Sequence, residues 1–97
     1  MIEILWEFVV AEEHRKEFER HYSSQGTWAQ FFHASSAYRG TTLLAGADNR
    51  YITCDRWDSR EAYEEFRRTR AQDYEALDRR FEALTISERS LGIFELK

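Results

Sequence analysis

The chain has 97 residues, a net charge of −4 and one cysteine, and these quantities exclude several classes of protein. The length predicts a single domain with a modest core. Nucleic-acid binding is not expected, because Lys and Arg supply most of that affinity and no segment is strongly basic. No apolar run approaches the ~20 residues that cross a bilayer, and the stretch Met1–Glu7 is acidic where a signal peptide is basic. We therefore expect a cytoplasmic protein without membrane association, whose Cys54 forms no internal disulfide bond.

The first part of the chain predicts a strand, a helix and a short helical turn. Residues Ile2–Val10 alternate as a strand, with one apolar face made by Ile2, Ile4, Trp6, Phe8 and Val10. A helix over Ala11–Tyr22 follows, with a thin apolar stripe. Thr27 then caps a short helical turn, Trp28–His33, whose aromatic residues need cover.

The middle of the chain predicts a β-hairpin. The second strand is Ala37–Ala45, in which Thr and Leu residues favour extended structure. The stretch Gly46–Asn49 has the composition of a tight turn. The third strand is Tyr51–Trp57.

A long helix over Arg60–Ala83 is the strongest pattern in the chain. Asp58 and Ser59 are alternative N-caps, and Glu61 completes a capping box with Asp58. Arg70 falls on the apolar face, between Phe66 and Tyr74. That face has three- and four-residue spacing and consists of Tyr63, Phe66, Tyr74, Leu77, Phe81 and Leu84.

A fourth strand, Thr85–Leu96, completes the order β-α-β-β-α-β, and its Gly92 suggests a bulge or a close approach. This order predicts an α+β, ferredoxin-like fold with a four-stranded antiparallel sheet and the helices on one face. The iron–sulfur cluster that names the fold is excluded, because its ligation needs several thiolates.

The second face of the sheet also carries apolar residues. Leu5 and Val9 lie on the less apolar side of the first strand, and Leu43 and Leu44 point to opposite sides of the second. A second copy packed sheet to sheet about a two-fold axis would cover such a face. We expect a homodimer, and a monomer with a mildly apolar sheet is the alternative.

These residues together resemble the antibiotic biosynthesis monooxygenase-like group of the dimeric α+β barrel superfamily, over nearly the whole chain. The resemblance implies a dimer whose sheets form a barrel, with a pocket between sheet and helices in each subunit. Some members of the group oxidise polyketide-like aromatic substrates with molecular oxygen and without metal or flavin. The residues that carry the resemblance are Trp6, Phe8, Phe18, Gly26–Trp28, Gly40, Thr41, Tyr51–Ser59, Ala62, Tyr63 and Phe66.

Haem breakdown, which some relatives perform, is not expected here. That branch relies on an asparagine in the first strand and a histidine on the second helix, and this chain has neither. No metal site is expected either, because His14 and His21 lie roughly 10 Å apart along one helix and His33 lies in another segment. The chain has no phosphate-binding glycine loop or nucleophile elbow, so any chemistry is expected to need no cofactor.

Three residues are candidate catalytic groups. Arg70 could point into the pocket and bind a carboxylate or phenolate oxygen. Two alternatives are a kink of the helix near Thr69 and a side chain that reaches the rim and pairs with a glutamate. Asp55 shares a strand face with Trp57 and could be a general base, unless a bulge or a salt bridge explains it. His33 could act as an acid or base near neutral pH, and an exposed position is the alternative.

Aromatic residues are the candidate ligand-binding groups, although aromatic residues at helical spacing often only form a core. The Arg67–Arg68 pair is interpreted as a solvated helix face. Two functions remain open: a cofactor-independent oxygenase acting on a small aromatic or polyketide-like molecule, and a non-catalytic ligand-binding or structural dimer. A polar group inside the pocket would favour the enzyme. The candidate ligand-binding residues are Trp28, Phe32, Tyr38, Tyr63, Phe66 and Tyr74.

Overall fold

The computed structural model describes all 97 residues. Its longest helix has 11 residues, so no helix of this chain could cross a bilayer. Two short 3₁₀ turns, Glu12–His14 and Glu82–Leu84, precede α1 and β4. The remaining elements in chain order are β1 (Ile2–Val10), α1 (Arg15–Tyr22), α2 (Thr27–Phe32), β2 (Tyr38–Ala45), β3 (Arg50–Trp57), α3 (Arg60–Thr69), α4 (Ala71–Phe81) and β4 (Thr85–Glu95).

The four strands form one antiparallel sheet in the order β2-β3-β1-β4. This confirms the predicted ferredoxin-like α+β fold, and the strand bounds differ from the predicted ones by a residue or less at each end. The inner face of the sheet is the face that the helices cover. From β1 and β3 it carries Ile2, Ile4, Trp6, Phe8, Val10, Tyr51, Thr53, Asp55 and Trp57.

The core between helices and sheet is mostly aromatic. Trp57 is completely buried and packs its indole against Phe32, Tyr63 and Phe66. Such rings contribute large buried areas and geometric specificity in a small domain. Because every helix supplies at least one buried aromatic side chain, the helical layer is fixed to the sheet at several points.

The predicted single helix over Arg60–Ala83 is wrong, because the chain forms two helices that meet at Arg70. Arg70 leaves helical geometry, with φ −115° and ψ 28°. The Thr69 hydroxyl donates to the carbonyls of Glu65 and Phe66 at 3.0 and 3.3 Å, and such back-bonding bends helices.

The N-cap of α3 is Ser59, whose Oγ accepts from the Ala62 N–H at 3.1 Å. Asp58, the alternative cap, instead receives the Arg39 guanidinium at 2.9 Å. The first predicted helix also starts later than expected, because Glu12–His14 is a 3₁₀ turn and the α-helix begins at Arg15.

Gly26 and Gly40 occupy positions where the backbone geometry favours glycine. A side chain at Gly26 would lie 2.5 Å from the His21 carbonyl oxygen, so only glycine lets α2 start this close to α1. Gly40 has φ +120° and lies at a bulge, where Arg39 is the extra residue opposite β3. Because of this bulge, Tyr38 and Thr41 both point to the inner face although they are three residues apart.

Gly92 lies at a second irregularity, as the sequence suggested. It has φ +116° and sits where the register between β1 and β4 shifts.

The outer face of the sheet is the face opposite to the inner one, and the helices do not cover it. It carries Leu5, Glu7, Val9, Leu44, Ile52, Cys54, Arg89 and Phe94.

Candidate functional site

A cavity of about 130 Å³ lies between the inner face and the helices, and it is partly open to solvent. This volume is close to the roughly 150 Å³ of an apolar cavity that holds benzene, so it admits about one aromatic ring without rearrangement. Every strand and every helix contributes to its wall. Its aromatic lining consists of Trp6, Phe8, Tyr22, Trp28, Phe32, Tyr63 and Tyr74, and its polar lining of Thr41, Thr53, Asp55, Arg67, Asp78 and Glu88.

Asp55 is the carboxylate of the cavity interior, and its side chain is half-buried there. It extends from the inner face of β3, between Thr53 and Trp57. It forms no salt bridge, and its hydrogen-bond donor is the Thr41 hydroxyl, 2.6 Å from Oδ1. Burial raises the pKa of Asp55 from 3.8 to about 6, although the Thr41 hydrogen bond opposes that rise. A carboxylate with such a pKa is basic enough to accept a proton near neutral pH.

Thr41 is itself hydrogen-bonded to the Tyr38 hydroxyl. The Tyr38 ring is buried against Phe32 and Trp57. Burial raises the pKa of Tyr38 to about 12, so this phenol keeps its proton at physiological pH. Tyr38 therefore reaches the cavity only through Thr41 and does not line it.

Arg67 is the one cationic side chain that lines the cavity. Its guanidinium carbon lies 4.0 Å from the centre of the Tyr74 ring, and its Nη1 donates to the Tyr63 hydroxyl at 3.3 Å. Arg67 is exposed, as expected for a solvated Arg67–Arg68 face, but its side chain also lines the cavity, whereas Arg68 projects into solvent beside Glu65. Arg67 lies four residues after Tyr63, and this spacing places both side chains on one helix face.

Asp78 and Glu88 lie at the exposed rim of the same cavity, on α4 and β4. Neither side chain has a salt-bridge partner in the structure. Partial burial raises the pKa of both carboxyls, and neighbouring acids add to the rise: Glu82 and Glu75 for Asp78, and Asp78 and Glu82 for Glu88. The rim thus combines one cation, Arg67, with two carboxylates, whereas the interior is aromatic apart from Asp55 and two threonines.

The structure brings five of the predicted site residues to the cavity and leaves four outside it. The five that line it are Asp55, Trp28, Phe32, Tyr63 and Tyr74. The four outside are His33, Tyr38, Phe66 and Arg70. Phe66 belongs to the core, where its ring packs on Phe31 and Trp57.

Arg70 and His33 lie outside for identifiable reasons. Arg70 sits at the break between α3 and α4, is exposed, and pairs with Asp73 at 3.7 Å. The prediction of a single helix placed Arg70 on the apolar face of that helix. In the structure Arg70 lies at the break, and its side chain is not part of that face. His33 ends α2 on the exposed surface, where its ring meets the edge of Tyr38 at a centroid distance of 4.8 Å.

Sequence reasoning missed several residues that line the cavity. Thr41 lies directly opposite Asp55 in the β2–β3 register, so its position follows from strand pairing and the Gly40 bulge. Asp78 and Glu88 lie on α4 and β4, two segments whose relative placement the sequence did not predict, and both line the cavity. Trp6 and Phe8 already belonged to the predicted apolar face of β1, and their place in the cavity wall depends on where the helices leave a gap.

The three histidines are dispersed, and no three His, Cys, Asp or Glu side chains are grouped as metal ligands. His21 packs on Phe81, and its Nδ1 lies 2.7 Å from the Thr27 hydroxyl. Burial lowers the pKa of His21. This histidine therefore joins α1 to α2 and lies outside the cavity lining.

No protein-family model matches the chain, and no curated protein sequence matches it. Solved structures do match over its full length. A protein from Nitrosomonas europaea, provisionally named an antibiotic biosynthesis monooxygenase, is 12% identical with a TM-score of 0.70, covering 99% of this chain and 98% of its own. SnoaB, a cofactor-independent oxygenase from Streptomyces nogalater, is 21% identical with a TM-score of 0.68, covering 99% and 92%.

Rv0793 from Mycobacterium tuberculosis is 18% identical with a TM-score of 0.63, covering 99% of this chain and 95% of its own. At these identities the agreement concerns the fold, which several unrelated activities can share. Each of these three matches covers at least 92% of both chains. The chain thus has the fold of the antibiotic biosynthesis monooxygenase-like proteins.

Proposed function

We propose that this protein binds a small hydroxylated aromatic molecule in its cavity and oxidises it with molecular oxygen, without metal or flavin. The observation that carries the proposal is Asp55, an unpaired carboxylate inside an aromatic cavity. A carboxylate held among aromatic groups without a cation is costly, so its presence favours a function for its charge. Perturbed carboxyl groups of this kind concentrate at functional sites.

The chemistry follows from the arrangement of charge. Asp55 accepts a proton from an acidic carbon of the substrate, and the electron-rich carbanion that remains donates electrons to oxygen. A peroxide forms at that carbon and loses water, so one oxygen atom enters a new carbonyl group and the other leaves as water. The aromatic wall excludes bulk water and holds the ring flat. Arg67, at the rim, stabilises the negative oxygen of the substrate.

The comparisons support this class of reaction in one respect. SnoaB, which shares the fold over almost the whole chain, is described as a cofactor-independent oxygenase. The cavity volume favours a compact substrate, because about 130 Å³ encloses one ring. A second or third ring of a polyketide-like molecule would extend through the open side, toward Arg67, Asp78 and Glu88.

Oxygen uptake with a graded set of substrates tests the proposal. Resorcinol, a dihydroxynaphthalene and anthrone span one to three rings, and isotopically labelled oxygen reports whether an atom enters the product. We expect uptake, a labelled ketone or quinone, and loss of activity in Asp55→Asn. Binding of these compounds without uptake would contradict the oxygenase and return the protein to ligand binding alone. Activity that survives in Asp55→Asn would contradict the role of Asp55.

We also propose that two copies pack through the outer face of the sheet. Leu44 and Phe94 are large apolar residues about half exposed there, and Leu5 and Val9 lie between them in the sheet. A face of this kind is typical of an interaction site, and a two-fold axis lets one patch meet itself. Light scattering coupled to size exclusion tests this, with Leu44→Lys expected to give monomers and Glu64→Lys, on the exposed side of α3, as the control. A parent chain that is monomeric at all concentrations would refute it.

A further inference from the structure

Tyr38, Thr41 and Asp55 form a series of two hydrogen bonds, and the number of protons available determines which group donates in each. The Thr41 hydroxyl has one proton, which it donates to Asp55 Oδ1 at 2.6 Å. The contact between Thr41 and Tyr38 must then be donated by the Tyr38 hydroxyl. Each donor in the chain therefore points toward the Asp55 carboxylate.

These hydrogen bonds leave one carboxylate oxygen of Asp55 free. Oδ1 accepts from Thr41, whereas Oδ2 has no hydrogen-bond donor within the protein. Asp55 lines the cavity, so Oδ2 is the oxygen available to a ligand. The Thr41 contact also limits rotation of the carboxylate about its last bond, because rotation would break a hydrogen bond to a charged acceptor.

We infer that Thr41, supported by Tyr38, is a positioning residue that keeps Asp55 ionised and aims its free oxygen into the cavity. This inference rests on the proposed function for its catalytic meaning, although the hydrogen-bond chain exists without it. The backbone supplies the reason that both side chains reach Asp55. The Gly40 bulge turns Tyr38 and Thr41 to the inner face together, and a regular strand would place them on opposite faces.

Other groups near Asp55 do not replace this hydrogen bond. On the outer side, the neighbouring residues Cys54 and Arg56 point away from the cavity. Strand β1 and helix α2 present only Trp and Phe side chains to the cavity. The titratable or charged groups that face it from the other elements are Tyr22 (α1), Tyr63 and Arg67 (α3), Tyr74 and Asp78 (α4) and Glu88 (β4).

These groups are common to the parent and to any Thr41 variant, so the effect of a Thr41 variant reports the hydrogen bond. The Thr41 contact lowers the pKa of Asp55 against the effect of burial. Hydrogen bonds to charged groups typically stabilise by enough to shift a pKa by about one unit. Removing the hydroxyl is therefore expected to raise the pH at which Asp55 loses its proton.

The test is an NMR titration of the Asp55 carboxyl carbon in the full chain, alongside the pH profile of oxygen uptake. Thr41→Val is expected to move both to higher pH by about one unit, and Thr41→Ser to restore them. Tyr38→Phe should give a smaller shift in the same direction. Thr42→Val is the matched control, because Thr42 is the next residue of β2, exposed on the outer face.

An unchanged Asp55 titration in a folded Thr41→Val protein would overturn the inference, and so would an equal shift in Thr42→Val. If Thr41→Val does not fold, Tyr38→Phe decides, and no shift there would overturn the inference. The two proposals fail separately. A shifted Asp55 titration in Thr41→Val, without oxygen uptake by the parent, would contradict the oxygenase and support the role of Thr41. Oxygen uptake with an unshifted titration would support the oxygenase and contradict the role of Thr41.

Discussion

Two carboxylates on opposite faces of the same sheet have opposite environments. Glu7, on the outer face, receives Arg50 on one side and Arg89 at 2.9 Å on the other. The hydrogen bond from Arg50 lowers the pKa of Glu7. Asp55, on the inner face, receives only a hydroxyl, and burial raises its pKa to about 6. Both lie on central strands, so the difference comes from the layer that each face meets.

The contrast separates a stabilising carboxylate from a reactive one. Glu7 ties β1 to its two neighbouring strands, since Arg50 belongs to β3 and Arg89 to β4. The Asp55 carboxylate forms no ion pair with another strand, and one of its oxygens is free in an aromatic cavity. Native proteins retain such a destabilising group where activity needs it. This is why we assign function to the inner face and association to the outer face.

The largest expected effect comes from removing the charge of Asp55. Proton transfer by a positioned group contributes about 100-fold or more to a rate, so Asp55→Asn should lose at least that factor in turnover with any substrate the parent oxidises. The variant keeps an oxygen that can accept from Thr41. Turnover within a few-fold of the parent would show that the isolated carboxylate has no catalytic meaning.

The same variant should be more stable than the parent near neutral pH. The raised pKa means that the folded chain holds the Asp55 proton more tightly than the unfolded chain, so Asp55 favours folding at low pH. That contribution is lost as pH rises from about 3.8 through about 6. The advantage of Asp55→Asn in unfolding free energy should grow over this window, to at most about 3 kcal/mol. Urea denaturation across the window would show a constant difference if the pKa were unshifted.

The next largest effect is expected at Arg67, the cation that lines the same cavity as Asp55. Arg67→Met keeps an aliphatic side chain and removes the guanidinium that lies over Tyr74. We expect a loss in kcat/KM of about 10-fold to 100-fold, at or below the roughly 100-fold minimum for one buried oxyanion donor, because Arg67 is exposed. Arg70→Met is the matched control, because Arg70 is an exposed arginine three residues away that pairs with Asp73. Equal losses in both variants would contradict the assignment, and a larger loss in Arg70→Met would reinstate Arg70.

A smaller effect is expected on the outer face. Glu7→Gln removes the acceptor charge for two arginines, so the melting temperature should fall near neutral pH while turnover stays the same. Because the pKa of Glu7 is lowered in the folded chain, its contribution is present above the usual glutamate range and is lost as pH falls. The parent and the variant should therefore melt together in acid, and high salt should reduce their difference at neutral pH.

The smallest effect is expected at His33. It is exposed at the end of α2 and lies outside the cavity, so His33→Ala should leave turnover and its pH profile within about twofold of the parent, the usual result for a surface substitution. A lost limb of the pH profile in this variant would place His33 in the proton path and weaken the role of Asp55.

Much of the fold could be predicted from local patterns. The alternation of Ile2, Ile4, Trp6, Phe8 and Val10 predicted β1 with its observed bounds and its inner face. The same two-residue period placed Asp55 on the face of Trp57. Periodicity also indicated the apolar stripes of α3 and α4, and Arg70, which interrupts them, suggested a kink near Thr69 as one of several explanations. At the break between α3 and α4 the Thr69 hydroxyl donates to the Glu65 carbonyl, a contact that hydrophobic periodicity does not report.

By itself the sequence determined the order of elements, the faces of the central strands and the aromatic character of the core, because these follow from side-chain periodicity within each segment. Only the tertiary structure decided which polar groups share the cavity. Thr41 meets Asp55 through strand register and a bulge. Arg67 lines the cavity, whereas Arg70 lies at the break between α3 and α4, outside it. These are relations between distant segments, and a pattern along one segment carries no information about the distance to another.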